Sequence, residues 1–126
     1  MHVRISAATP EADLDAVVWP GVASVSCARC GSAQHIARAD EVVTRLERLR
    51  GIRPGHIELQ PVIESTRGVV RSMDIVASSR RVSTVKLGRS LEMEIGDDAL
   101  AYARGECELH ARALGLSFLD ACAPHD

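Results

Sequence analysis

Short apolar runs alternate with helically periodic segments along the entire chain, and no other feature constrains the fold as tightly. Val3-Arg4-Ile5 reads as a brief strand. Thr9-Pro10-Glu11 then opens a helix to about Val18, with a hydroxyl cap, a first-turn proline and an early acid; Trp19-Pro20-Gly21 breaks it. Val22 to Cys27 is a second strand. Ser32 stands where a cap belongs, before a helix whose Ile36, Val42, Val43, Leu46 and Leu49 recur at helical spacing and which Gly51 closes. The charged positions between them (Arg38, Asp40, Glu41, Arg45, Glu47, Arg48, Arg50) read as a solvated face. After the turn Arg53-Pro54-Gly55, Ile57 to Ile63 is the third strand, and a helix spans roughly Val69 to Ala77. Val82 to Leu87 is the fourth strand, followed by a short helix near Leu91–Ile95. A long helix from Asp97 or Asp98 to Leu114 stops at Gly115, and Leu116 to Leu119 is the fifth strand.

Alternation of this kind, with no hairpin signals, implies an α/β fold with a parallel sheet and right-handed crossovers. Parallel sheets are ordinarily buried on both faces, in keeping with apolar pairs such as Val62-Ile63. A complete eight-unit barrel takes about 250 residues. About five strands in the 126 residues of this chain therefore make one domain, 1–126, that is either an open sheet or part of a barrel.

Composition removes several function classes. With 46% hydrophobic and 25% charged residues the chain has the make-up of a globular domain and not of a disordered one. A net charge of -2 and only three aromatic residues, Trp19, Tyr102 and Phe118, argue against a nucleic-acid partner and demand an aliphatic core. No apolar run reaches the roughly 18 residues of a membrane span, and the N-terminus lacks the apolar core of a secretory signal, so a cytoplasmic location is expected. The single C-x-x-C pair, Cys27 and Cys30, has no second pair at zinc spacing; Cys107 and Cys122 stand apart, and all four are read as reduced thiols. His2, His35, His56, His110 and His125 show no metal spacing, and Met73 and Met93 read as core filling. A flavodoxin-like open sheet is a further alternative, but no glycine-rich phosphate loop supports it.

Chemistry concentrates in Gln60-Pro61-Val62-Ile63-Glu64-Ser65-Thr66-Arg67-Gly68-Val69. An apolar strand delivers one carboxylate, Glu64, at its carboxyl end, where parallel α/β folds bind ligands and ions. The plainer alternative has Glu64 capping the next helix or pairing with Arg67. Arg29, at another strand end, offers a planar fork to a carboxylate or phosphate, or is simply a solvated base.

Val3-Arg4-Ile5-Ser6, Thr9-Pro10, Val62-Ile63-Glu64-Ser65-Thr66-Arg67-Gly68-Val69 and Gly115-Leu116-Ser117-Phe118-Leu119-Asp120 together resemble, in order and spacing, the citrate lyase β-subunit family, which stands with the malyl-CoA lyases and 2-keto-acid aldolases. The likeness covers nearly the whole chain, and the Ile63-to-Gly68 stretch is its most specific part. It implies part of a TIM (β/α)8 barrel, from near the third strand to around the seventh, and magnesium-dependent carbon–carbon cleavage of CoA thioesters or small oxo-acids. By the same resemblance Arg4 polarises the substrate carbonyl and Glu64 is a magnesium ligand; Arg29 and Arg67 are candidates for substrate binding on the chemistry of their own side chains. The chain departs from the pattern at the second metal carboxylate, where Ser90 or Leu91 replaces an expected aspartate. Ser6 stands in place of asparagine and Gly31 in place of an acid. Two expectations follow: a lyase whose isolated chain is weak or inactive, or a non-catalytic degenerate barrel acting in assembly or regulation. An unfinished parallel sheet also predicts a homo-oligomer, or a complex with a chain that supplies missing strands.

Overall fold

The computed structural model describes residues 1–6 and 10–121. The proposed cap Thr9, together with Cys122 and His125, lies outside them. Five strands, β1 (His2–Ser6), β2 (Ser24–Ala28), β3 (Glu58–Ile63), β4 (Thr84–Leu87) and β5 (Ser117–Asp120), form one sheet in the order β1-β2-β3-β4-β5. Every neighbouring pair is parallel. The connecting helices are α1 (Pro10–Val17), α2 (Ala33–Leu49), α3 (Thr66–Val70), α4 (Ser72–Val76), α5 (Ser90–Glu94) and α6 (Asp97–Ala113).

Strand order equal to sequence order means that each crossover steps the same way along the sheet. Right-handed crossovers stepping one way deposit their helices on one face. Accordingly α1 packs on α2, α2 on α4 and α4 on α6, in a single layer. The architecture is an open α/β sheet of βα repeats, as in a partial TIM barrel.

The core lies between that sheet and its helices. Ile5, Val25, Cys27, Leu59, Ile63, Val85 and Leu87 point into it from alternate strand positions. Leu14, Ile36, Val43, Ile75, Ala103 and Cys107 meet them from the helices. Burial on both faces was expected; the helix-covered face follows it throughout, and the other face only in part, with Ser26, Ala28 and Val62 buried among more open polar positions. The register rows His2–Ser24–Glu58 and Arg4–Ser26–Gln60, with Thr84 and Lys86 on β4, give the other face a polar surface. In a closed barrel this would be the interior.

Several local readings are corrected. Glu47, assigned to a solvated face, is 1% exposed, whereas Leu49, assigned to the apolar stripe, is 73% exposed. Met93 is 92% and Met73 36% exposed, so neither fills the core. The helix expected from Val69 to Ala77 is two short helices that meet at Arg71. Ser32 occupies the N-cap of α2 without a side-chain cap bond, and Gly51 follows α2 with φ of +66°.

Candidate functional site

Glu64 directly follows β3 and is 8% exposed. Its Oε1 accepts a hydrogen bond from Arg4 Nη2 at 3.0 Å, and its Oε2 accepts from the backbone N–H of Arg29 at 2.8 Å. The carboxylate thus ties the end of β3 to β1 and to the end of β2. Arg29 reaches it through a left-handed backbone conformation, φ +56°, which is uncommon outside glycine. That turn presents its amide inward while its side chain stays exposed.

Gly88, after β4, supplies the space. A Cβ there would lie 2.3 Å from Glu64 Cγ and 2.7 Å from Oε1, so the carboxylate can lie where it does only because position 88 has no side chain. Gly68 acts similarly one layer out: a Cβ would stand 2.9 Å from the Cys30 carbonyl oxygen. Ser65, not Glu64, caps α3, its Oγ accepting from the Gly68 N–H at 3.1 Å. The plainer assignments for Glu64 are therefore both replaced, since its ion-pair partner is Arg4 and not Arg67.

The structure brings Arg4, Glu64 and Arg29 together and leaves Arg67 exposed on α3, outside the bonds that the carboxylate makes. A cleft of about 580 Å³ opens beside them, lined by Arg4, Ser6, Asp13, Ala28 and Arg29 among others. Arg4 is 61% exposed in its side chain and only its Nη2 is bonded to Glu64, so the side chain remains open to a ligand.

The donors suited to magnesium are too few. Magnesium is commonly held by one or two carboxylates with water and substrate completing an octahedron. Glu64 has one oxygen on Arg4 and the other on an amide. At the place expected for a second carboxylate, Ser90 is exposed and Leu91 is packed in the core. Glu94 is bonded to Thr66, and Glu92 is exposed. Among the described residues no group of three or more His, Cys, Asp or Glu side chains is placed to hold a metal. The described residues do not fit a magnesium ion.

A second polar group was missed from the sequence. On the helix-free face, Lys86 of β4 crosses β3 and donates to Ser26 Oγ of β2 at 2.8 Å. Ser26 Oγ lies 2.6 Å from His2 Nε2, and His2 Nδ1 bonds Ser24 Oγ. Burial, and then the nearby Arg4 charge, push the Lys86 ammonium below its ordinary pKa, against an opposing pull from Glu58. Burial and the Lys86 charge likewise lower His2, again opposed by Glu58. One signal was visible: of 15 basic residues, Lys86 is the single lysine and the other 14 are arginines.

The three described cysteines, Cys27, Cys30 and Cys107, are buried free thiols. Burial pushes Cys27 and Cys30 up to about 12 and Cys107 up to about 11, which makes them inert and not redox-poised. No helix among the described residues is long and apolar enough to cross a membrane.

No family model matches the chain. Citrate lyase subunit beta of Escherichia coli (strain K12) is 30% identical over 128 aligned positions, covering 94% of this chain and 42% of that protein. Citrate lyase subunit beta of Haemophilus influenzae is 29% identical over 115, covering 86% of this chain and 40% of that protein. The chain spans about 42% of the length of the curated relatives it matches. Across nearly its full extent it is a distant relative of the citrate lyase β subunits.

Proposed function

We propose that the chain is a barrel segment of a citrate lyase β-like carbon–carbon lyase, in which Arg4 takes the carbonyl or carboxylate oxygen of an oxo-acid or CoA thioester. The observation that carries this reading is the contact between Arg4 of β1 and Glu64 at the carboxyl end of β3. Cleaving a bond next to a carbonyl gathers negative charge on its oxygen, and a guanidinium held beside that oxygen stabilises the transition state. Glu64 would orient the guanidinium, the Arg29 amide would fix Glu64, and Gly88 would leave them room. The rest of a pocket would come from sheet that the five strands do not provide, in a further segment or a second chain. Turnover by these 126 residues alone is expected to be absent or weak. A reducing, cytoplasmic setting suits its free thiols.

A second reading, a non-catalytic assembly module, draws on the lone carboxylate and on Leu91 standing in the core where an acid would complete a metal site. Calorimetric titration with oxaloacetate and with acetyl-CoA, each with and without magnesium, separates the two. A lyase segment binds the oxo-acid without requiring magnesium, and Arg4→Gln abolishes that binding. Glu64→Gln, which leaves the guanidinium unanchored, weakens it about tenfold, as for loss of one charge-assisted hydrogen bond. Equal binding by wild type and Arg4→Gln rules out the proposed role.

A further inference from the structure

The chain's one lysine sits in an environment of its own. We propose that Lys86 is an amine nucleophile that captures a small 2-oxo-acid as an imine, with Arg4 holding the acid's carboxylate. This rests on reading the helix-free face as the ligand-binding face, but not on lyase turnover.

The hydrogen bonds have a direction. An ammonium can only donate, so Lys86 must donate to Ser26 Oγ, which leaves the Ser26 hydroxyl hydrogen for His2 Nε2. Lys86 Nζ also stands 3.3 Å from His2 Nε2, and this contact too requires an unprotonated Nε2. His2 is then the neutral tautomer with its proton on Nδ1, donated to Ser24 Oγ. The chain Lys86–Ser26–His2 therefore leads from an ammonium to an unprotonated imidazole nitrogen on an exposed residue.

Burial first, and then the charges around the amine, lower its pKa from the ordinary lysine value. Arg4 and His2 on β1 and Glu58 on β3 are the titratable groups that face it, and the arginine outweighs the glutamate. Crowding by a neighbouring cation is an established way to make a lysine reactive near neutral pH, and an arginine in its place would stay protonated and unreactive. The fourteen arginines of the chain cannot do this chemistry.

The step balances without an outside redox partner. The Lys86 proton passes to Ser26 Oγ as the Ser26 proton passes to His2 Nε2. The freed nitrogen lone pair attacks the carbonyl carbon, a C–N bond forms, and the carbonyl π-bond breaks with its electrons on oxygen. That oxygen takes two protons, one returning from His2 and one from nitrogen. The C–O bond then breaks as the nitrogen lone pair closes the C=N bond, and water leaves. The third ammonium proton stays on nitrogen, so that what forms first is the protonated imine.

The test is reductive trapping of the whole chain with pyruvate and cyanoborohydride at neutral pH, with the adduct located by peptide mass spectrometry. Lys86 and the Met1 α-amine are the two amines to compare. The expected result is a reduced pyruvyl adduct at Lys86 that forms several-fold faster than on Nα-acetyl-lysine or on the urea-unfolded chain. Ser26→Ala and Arg4→Gln should slow it toward those references, while Lys86→Arg removes it and leaves any Met1 adduct unchanged. Trapping at Lys86 no faster than on the unfolded chain, or unaffected by Ser26→Ala and Arg4→Gln, overturns the proposal. Oxaloacetate binding measured by calorimetry on Lys86→Arg keeps the two ideas apart: if it persists while trapping fails on wild type, the imine is wrong and the Arg4 site stands.

Discussion

Position 88 decides whether the candidate site exists. The Glu64 side chain occupies the space that any Cβ at Gly88 would fill, and the closest atom it would meet is Cγ, a part of the side chain with little room to move. Gly88→Ala should therefore drive the carboxylate away from Arg4 and the Arg29 amide, at a cost of about 1–3 kcal/mol, typical of overpacking. Urea denaturation reads the stability change, and oxaloacetate titration should show the binding loss expected of Glu64→Gln. A Gly88→Ala protein with wild-type stability and binding contradicts the crowding argument. The cysteines give a second residue-level expectation. Thiols held up to about 12 have almost no thiolate at pH 8. Iodoacetamide should leave Cys27 and Cys30 unmodified in the native chain and label both in urea; fast native labelling of either contradicts their burial.

Between elements, the strongest polar link lies at the opposite end of the sheet from the site. Arg81, in the loop before β4, donates to Glu47 of α2 at 2.7 and 3.0 Å and to Asp40 at 2.8 Å. Glu47 also accepts from the N–H groups of Gly55 and Ile57, just before β3. Burial opposes the charged form of Glu47, but the Arg81 and amide hydrogen bonds outweigh it and hold the carboxyl below its usual range. Asp40 is also held low, its burial outweighed by bonds from Ser79, Arg81 and Thr44. A carboxyl whose pKa is lower folded than unfolded contributes its stabilisation above the unfolded value and loses it as pH falls through the folded one. The clasp should thus be intact above about pH 4 and fade below it, the region where model carboxyls titrate. Arg81→Leu strands a buried carboxylate and should cost about 3–5 kcal/mol; adding Glu47→Leu should restore much of that loss. Chemical denaturation of the three proteins across pH checks both points, and an Arg81→Leu protein as stable as wild type refutes the clasp. The sequence announced none of this, although it announced the elements well. Each strand and helix arises from local patterning, so nearly all were legible to within a few residues. Glu47 reads as one more charge on a helix because only the return of two later segments, 55–57 and 79–81, encloses it. Met93 reads as apolar filling, but α5 is one turn long and sends only Leu91 inward. That Arg4 and Glu64 share a site was within reach through the family resemblance and the strand-end position of Glu64, although Arg4 stands in the middle of β1; the Lys86–Ser26–His2 group needs the strand register and a one-sided helix layer to be seen.

For the molecule as a whole, one-way winding has a consequence that the core does not resolve. Among the described residues β1 and β5 each pair with a single neighbour, so each presents an edge of backbone donors and acceptors. The same winding leaves the face carrying Arg4, Gln60 and Lys86 without a helix layer. Natural proteins blunt such edges with bulges, prolines or inward-pointing charges. The pairing of β1 with β2 runs unbroken from His2 to Ser6, and β5 pairs with β4 along all four of its residues, so neither edge strand is bulged. Pairing through these edges, to a second copy or to a chain that continues the sheet, would extend the ladder and wall in the polar face at once. The purified chain should therefore self-associate, with a mass by light scattering that rises above the monomer as concentration increases. Hydrogen exchange gives the sharper reading: amides of β1 and β5 should gain protection with concentration, while those of β3, already paired on both sides, should not change. A chain that stays monomeric at high concentration, with edge amides exchanging at one rate throughout, shows that these edges are tolerated bare and removes the case for a partner strand.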